Sequence, residues 1–403
     1  MVARTLVRCQ PSSPPMAKHD ITVYSPTSAG LLGSFGRAGG AQRQMLLLAS
    51  ELARRGLTVA LVVYPVEGEA PVVRSGITLI ERKEHAPGAG PLAILVETAR
   101  VLRALAAANG RVVVVRSGTP VVGVVALYCR LFRRKLVFSS ANNLDFLDQW
   151  PRHRGVYEFG VRNADAVVVQ SHEQELLARR RFPTIRKIVR IASFVDTDPA
   201  TAAEVSPEAF FWVGRLVEYK RPLLYADLAV SVPEAKFVLV PLFPLQYRAE
   251  REAFAQLNAA ATRIANLEIC DSLPHAELVK RMKSAVALVS TSLHEGMPNT
   301  FLEAWSLGVP VLTLAFDPDG VVEREGLGIS AQGTWERFVS GGRTLWQSRL
   351  RREELSARTR AYIESAHSID RIGARWHALV TTLATGSARR TPLTCRERAT
   401  TGR

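Results

Sequence analysis

Cysteine is scarce: Cys9, Cys129, Cys270 and Cys395 are the four in 403 residues, and no two stand at a metal-ligand or disulfide-framework spacing. That excludes a disulfide-stapled scaffold and a Cys/His zinc module, and it fits a reducing compartment. Long apolar runs are absent too. The longest, residues 119–132, is broken by Arg130, whereas a bilayer span needs about 20 residues. Residues 1–20 hold no sustained apolar core of the signal-peptide kind, so none is expected, and Met16 is an alternative start. Neither GxGxxG nor GxxxxGK[ST] occurs, which leaves a dinucleotide fingerprint and a P-loop unsupported. With no zinc-finger spacing and no RNP-type aromatic motif, nucleic acid is not an expected partner. No Ser/His/Asp arrangement has a known spacing, and no His/Cys cluster offers a metal site.

What is present describes a globular chain. Hydrophobic residues make up 47% and charged residues 22%, enough for a sizeable core, and the length suggests roughly two to three domains. The net charge of +15 is unevenly placed: residues 1–195 hold 27 Lys+Arg against 13 Asp+Glu, and residues 196–403 hold 25 against 24. Basic clusters fall at 130–135 and 179–190. Such a field attracts anionic lipid head groups or a phosphorylated acceptor. The expectation is a cytoplasmic protein, peripheral on the inner face of the plasma membrane.

Strand and helix patterns alternate along the chain. Residues 21–25, 57–64, 77–80, 112–115, 135–139, 166–170 and 188–191 read as strands, with helices at 42–55, 91–108, 120–132, 157–163 and 173–181 between them. A polar, proline-bearing stretch, 193–208, reads as a linker. A second set follows, with strands at 210–213, 236–240, 267–269, 285–289 and 309–314, and helices closing the chain at 334–346, 351–364 and 368–384. The expected organisation is an extension at 1–19, an N-terminal domain at 20–192, the linker, a C-terminal domain at 209–366, a last helix at 367–386 and a disordered basic tail at 387–403. Both domains are α/β, with parallel strands covered by helices.

The chemistry concentrates in residues 291–310. An apolar strand leads into Glu295, a Gly/Pro/Asn loop through Gly296, Met297, Pro298, Asn299 and Thr300, and an apolar-faced helix bearing Glu303. A helix N-terminus offers unpaired N–H groups to an anion, and carboxylates on either side of it can hold sugar hydroxyls. Arg215 and Lys220 flank the loop after the first strand of the second domain, where open parallel sheets bind ligands. Cations there neutralise a diphosphate. Asp317 and Asp319 form a short DxD, a weaker reading as a metal site since Asp/Pro pairs also make turns; Asp196 and Asp198 are weaker still. His294, beside Glu295, is the histidine of interest, whereas His275, His367 and His377 read as structural or solvent-facing.

Together, residues 39–43 (GGAQR), 213–216 (VGRL) with 220–222 (KRP), 294–299 (HEGMPN) and Glu303 resemble the retaining glycosyltransferases of family 4, which have the GT-B fold, two Rossmann-like doubly wound domains facing across a cleft. The resemblance covers about residues 20–386. It implies a UDP- or GDP-sugar donor, a glycan or lipid-linked acceptor, and no metal or other cofactor. By that resemblance Arg215 and Lys220 contact the diphosphate, Glu295 the donor sugar, and Glu303 the ribose. The 296–300 loop supplies backbone N–H groups, Asp271, Ser272 and Leu273 lie at the base, and Gly39 and Gly40 lie against the diphosphate from the other domain. The last helix returns to the N-terminal domain. A non-catalytic nucleotide-sugar-binding subunit or a GT-B epimerase would share the cleft, but the four charged positions intact here favour a transferase. The sequence departs from the family after the strand at 135–139: no His follows, and Asn142, Asn143 or Asp145 stands in its region.

Overall fold

The structure, a computed structural model, describes residues 17–32, 39–65, 76–84, 90–147, 154–195, 207–242, 245, 247–270 and 273–386. Most of the expected N-terminal extension, the tail at 387–403, the linker from 196 to 206 with Asp196 and Asp198, Gly33, Gly36, Asp271 and Ser272 lie outside the described residues.

Two parallel sheets form the frame. The first holds β1 (His19–Tyr24), β2 (Val59–Val63), β3 (Ile77–Glu81), β4 (Gly110–Val115), β5 (Lys135–Ser139), β6 (Ala166–Val169) and β7 (Ile188–Arg190), in the order β3-β2-β1-β4-β5-β6-β7. Its helices are α1 (Ala29–Leu32), α2 (Gly40–Arg54), α3 (Pro91–Ala108), α4 (Val121–Leu131), α5 (Arg154–Arg162) and α6 (His172–Arg181). The second sheet holds β8 (Ala209–Gly214), β9 (Phe237–Pro241), β10 (Leu267–Ile269), β11 (Ala285–Ser290), β12 (Val311–Thr313) and β13 (Gly328–Ser330), in the order β10-β9-β8-β11-β12-β13. Around it lie α7 (Leu223–Ser231), α8 (Arg248–Ala261), α9 (His275–Met282), α10 (Asn299–Ser306), α11 (Val321–Arg324), α12 (Trp335–Gln347) and α13 (Arg349–Ala366), and α14 (Ile369–Gly386) ends the described chain.

The apolar runs explain the layering. β2 reads VALVV and is buried throughout, as a parallel strand covered on both faces must be. Successive side chains of β4 leave on opposite faces: Val113 and Val115 join Val125 of α4 and Tyr157 of α5, whereas Val112 and Val114 join Leu48 and Leu52 of α2. Into that second layer α14 inserts Ile372, Trp376 and Val380, so the last helix packs on the first sheet. The crossing is tied down by Ser193, whose carbonyl lies 2.9 Å from His367 Nδ1 and whose hydroxyl accepts from Gln170.

The strand orders locate two crevices. In an open parallel sheet, ligands bind beyond the carboxyl ends of the strands where the order reverses. That point lies between β1 and β4 in the first sheet and between β8 and β11 in the second.

The elements depart from the sequence reading in several places; the short helices α1 and α11 lie where it marked none. β1 starts inside the expected extension, at His19, whose Nδ1 meets Ala108 O at 2.6 Å. β13 is a three-residue strand that hydrophobic patterning does not mark, held by pairing with β12. Asn299 and Thr300 belong to the first turn of α10 rather than to the loop, because Pro298 takes the capping position with extended backbone.

Candidate active site

The crevice between β8 and β11 holds the charged residues singled out in the sequence. The 3-10 turn Glu218–Lys220 after β8 aims Lys220 Nζ at Glu295 Oε1, an ion pair, and Ser292 Oγ donates to the same oxygen at 3.1 Å. Burial opposes the Lys220 charge, but the Glu295 carboxylate outweighs it and lifts the ammonium pKa above its ordinary value. Tyr219 beside it is also raised, first by burial and then by Glu295. The two loops are stitched together: Leu293 N donates to Tyr219 O at 2.8 Å, Arg221 Nε to Thr291 O at 2.7 Å and Thr291 Oγ1 to Lys220 O at 2.6 Å. Lys220, Ser292, Glu295, Pro298 and Thr300 line one small cavity.

Arg215 stands to one side. Its Nε and Nη2 donate to Glu250 Oε1 at 3.0 and 2.7 Å, and its guanidinium lies over the Tyr247 ring at 5.4 Å. Glu250 is buried and caps α8 through Tyr247 N. The structure therefore brings Lys220 and Glu295 together and anchors Arg215 at the rim.

Glu303, the fifth residue of α10, faces outward to the other domain. His275 Nε2 lies 3.1 Å from its Oε1, and Arg43 Nε of α2 lies 3.8 Å away. His275 is thus part of the cleft, not a structural or solvent-facing histidine. Leu273 packs against the core of the C-terminal domain, and His294 is half-exposed beside Glu295.

Across the cleft two helix N-termini meet. Gly39 caps α2 and Gly40 begins it; a Cβ on Gly40 would stand 2.0 Å from Asn299 Nδ2, and Asn299 Oδ1 accepts from Gln44 at 2.8 Å. Only a glycine permits this approach. The 295–297 loop is pressed against the first domain: a Cβ on Gly296 would meet Gln174, Gln170 and Ala141 at 2.6–2.9 Å, Met297 N donates to Gln170 Oε1 at 3.3 Å, and Asn143 N to Glu295 O at 3.3 Å. Met297 is buried in the C-terminal core. Gln170, Gln174 and Ser292 carry no motif signal; Ser292 is a neighbour of Glu295 in sequence, whereas only the fold brings Gln170 and Gln174 to Gly296 and Met297.

The Asp residues do other work. Asp317 accepts Val322 N at 2.9 Å and Glu323 N at 3.2 Å. Asp319 accepts His172 N at 2.7 Å and Glu173 N at 2.9 Å from the other domain. Among the described residues no three His, Cys, Asp or Glu converge as a metal site. Where the sequence lacks the family His, Asp145 Oδ2 accepts Ser140 Oγ at 3.0 Å, Ala141 N at 2.7 Å and Asn142 N at 3.2 Å, and Asn142 Oδ1 accepts Leu144 N at 3.0 Å. Both side chains shape the loop, while Asn143 reaches the 295–297 loop through its backbone.

Residues 38–199 match the family model described as Glycosyltransferase Family 4, and residues 196–362 the model described as Glycosyl transferases group 1. No curated protein matches the sequence. Among solved structures, sucrose-phosphate synthase from Thermosynechococcus elongatus superposes with a TM-score of 0.73 at 15% identity, over 91% of this chain and 99% of that one. Anabaena HepE, crystallised with UDP and glucose, gives 0.67 at 16% identity over 90% and 100%. WaaG, a glycosyltransferase involved in lipopolysaccharide biosynthesis, gives 0.66 at 16% identity over 90% and 99%. At these identities the likeness is one of fold, the two facing Rossmann-like domains of GT-B.

Proposed function

This chain belongs to the glycosyltransferases with the GT-B fold, and from that premise we propose that it moves a sugar from a UDP- or GDP-sugar to a glycan or lipid-linked acceptor, with retention and without a metal. The observation that carries the reading is the Lys220–Glu295 pair in the second crevice, with Glu303 eight positions on along α10.

The chemistry follows from charge. Breaking the anomeric C–O bond leaves negative charge on the nucleoside diphosphate and an oxocarbenium-like sugar. Lys220 and the N-terminus of α10 are placed to stabilise the departing oxygens, with Arg215 at the rim. Glu295, oriented through Oε1 by Lys220 and Ser292, accepts hydrogen bonds from the sugar hydroxyls. Glu303 takes the ribose hydroxyls, exchanging part of its contact with Arg43 and His275. The departing phosphate helps to deprotonate the acceptor, so attack on the face it leaves retains the anomeric configuration. Asp317 and Asp319 already spend their oxygens on backbone N–H groups, which supports a metal-free reaction.

A membrane-facing acceptor fits the first domain. Among the described residues no helix is long and apolar enough to cross a membrane. Leu92 and Leu95 of α3 and Leu131 of α4 are nevertheless exposed, close in sequence to Arg103, Arg130 and Arg133, a combination suited to an anionic interface.

A thermal-shift and hydrolysis screen over UDP- and GDP-sugars, with and without EDTA, tests the core reading. Stabilisation by one donor and EDTA-insensitive turnover are expected, with the product anomer read by NMR. A strict Mn²⁺ or Mg²⁺ requirement, or an inverted product, overturns the corresponding clause. Co-sedimentation with anionic and neutral liposomes tests the membrane clause; failure to bind either at low salt removes it.

A further inference from the structure

We propose that Arg116 forms an oxyanion-binding subsite in the N-terminal crevice, so that the acceptor carries a phosphate or carboxylate close to its reacting hydroxyl. This rests on the glycosyltransferase reading above. Arg116 directly follows β4, the strand beside β1, and so stands at the reversal point of the first sheet, where an open parallel sheet takes its ligand. The second sheet's reversal point already holds the donor residues; this is its counterpart on the facing domain.

The guanidinium there is only partly satisfied. Nη1 reaches Ser139 Oγ at 3.3 Å, and Nε is buried with no hydrogen-bond partner. The nearest countercharge, Asp145, directs Oδ2 to Ser140, Ala141 and Asn142. Burial pulls the Arg116 pKa down to about 10, with Asp145 only partly offsetting it. A planar fork of N–H donors in this condition matches the two oxygens of a phosphate or carboxylate.

The neighbourhood ties the subsite to the reaction. Arg116 contacts the end of β5, and the loop that continues from there donates Asn143 N–H to Glu295 O at 3.3 Å. An anion on Arg116 therefore lies on the acceptor side of the donor sugar, while the donor diphosphate has Lys220, Arg215 and α10 on the opposite domain.

The test is calorimetry with inorganic phosphate and with glucuronate, on the full chain free and saturated with UDP or GDP, for wild type, Arg116→Gln and Arg116→Lys. Nucleotide-saturated wild type is expected to bind one of the two probes, and the tighter one names the acceptor's anionic group. Arg116→Gln weakens that binding at least tenfold and Arg116→Lys several-fold, while nucleotide affinity stays within twofold. Probe binding that Arg116→Gln leaves unchanged, binding abolished by saturating nucleotide, or no binding of either probe overturns the proposal. If Arg116→Gln does not fold, Arg116→Lys decides, since it keeps the charge and loses the fork. A chain that binds neither nucleotide refutes the UDP- or GDP-sugar donor reading instead, and the probe arms on the free protein still decide whether Arg116 holds an anion.

Discussion

Asp319 of the C-terminal domain caps α6 of the N-terminal domain: its Oδ1 accepts the backbone N–H of Glu173 at 2.9 Å, and its Oδ2 that of His172 at 2.7 Å. The local N-cap, Ser171 Oγ, takes only Gln174 N–H at 3.1 Å; the two N–H groups before it are satisfied from 147 residues away. This contact presses α6, with Gln174, onto the Gly296 loop. Asp319→Ala should cost about 1 kcal/mol of stability, the usual worth of an N-cap. It should also raise the KM for donor and speed hydrogen exchange at His172 and Glu173. Asp319→Asn, which tolerates the left-handed backbone at φ 51° and keeps one acceptor oxygen, should lose less. Unchanged exchange in Asp319→Ala would falsify the capping role.

Lys220 and Glu295 should behave as a coupled pair. Their side chains are 18% and 12% exposed, so each single neutralisation should cost less than the about 3–5 kcal/mol of a fully buried pair, while the double variant Lys220→Met/Glu295→Gln should recover part of the loss. Denaturant titration measures this; strict additivity contradicts it. Lys220→Ala and Glu303→Ala should each abolish turnover in a folded protein, and near-normal turnover in either sinks the donor-site assignment.

Gly40→Ala places a methyl 2.0 Å from Asn299 Nδ2. Overpacking of this kind costs about 1–3 kcal/mol, and here it should be spent on opening the cleft, weakening donor binding about tenfold. Asn299→Ala in the same chain should restore the closure. A Gly40→Ala variant with wild-type donor affinity would show that the two helix ends need not meet for binding.

His367 should make stability fall in mild acid. Its neutral Nδ1–H donates to the Ser193 carbonyl, and burial lowers its pKa below the ordinary 6.5, with the Ser193 bond partly opposing the shift. The folded protein thus resists a proton that the unfolded chain accepts. The contribution is complete above about pH 6.5 and shrinks as the pH falls from there through the lowered folded value. His367→Gln should flatten that part of the stability profile; an identical slope in both proteins excludes His367 as its source.

Much of this molecule is legible in the chain itself. Runs such as VALVV, alternating with amphipathic helices, demand parallel strands covered on both faces, and so two doubly wound sheets. The step from Ser290 through the Gly296 loop to Glu303 marks a candidate ligand-binding turn because strand, glycine and helix follow in order. Less legible were β13, too short to show a period, and the start of α10, where Pro298 serves as a cap rather than as part of a longer loop.

The partners were decided only in three dimensions. Arg43 meets His275 across 232 positions and Gln44 meets Asn299 across 255, separations at which spacing carries no geometric information. Asp317 and Asp319 look like a metal pair in the sequence, yet one tight turn at Pro318–Gly320 sends them to different helix ends, Asp317 to α11 and Asp319 to α6. Arg116 follows an unremarkable valine strand, and only the strand order sets it at the reversal point. Sequence determines local periodicity and hence the sheets. The meeting of two domains, which depends on how whole packed surfaces fit, determines which side chains share the cleft.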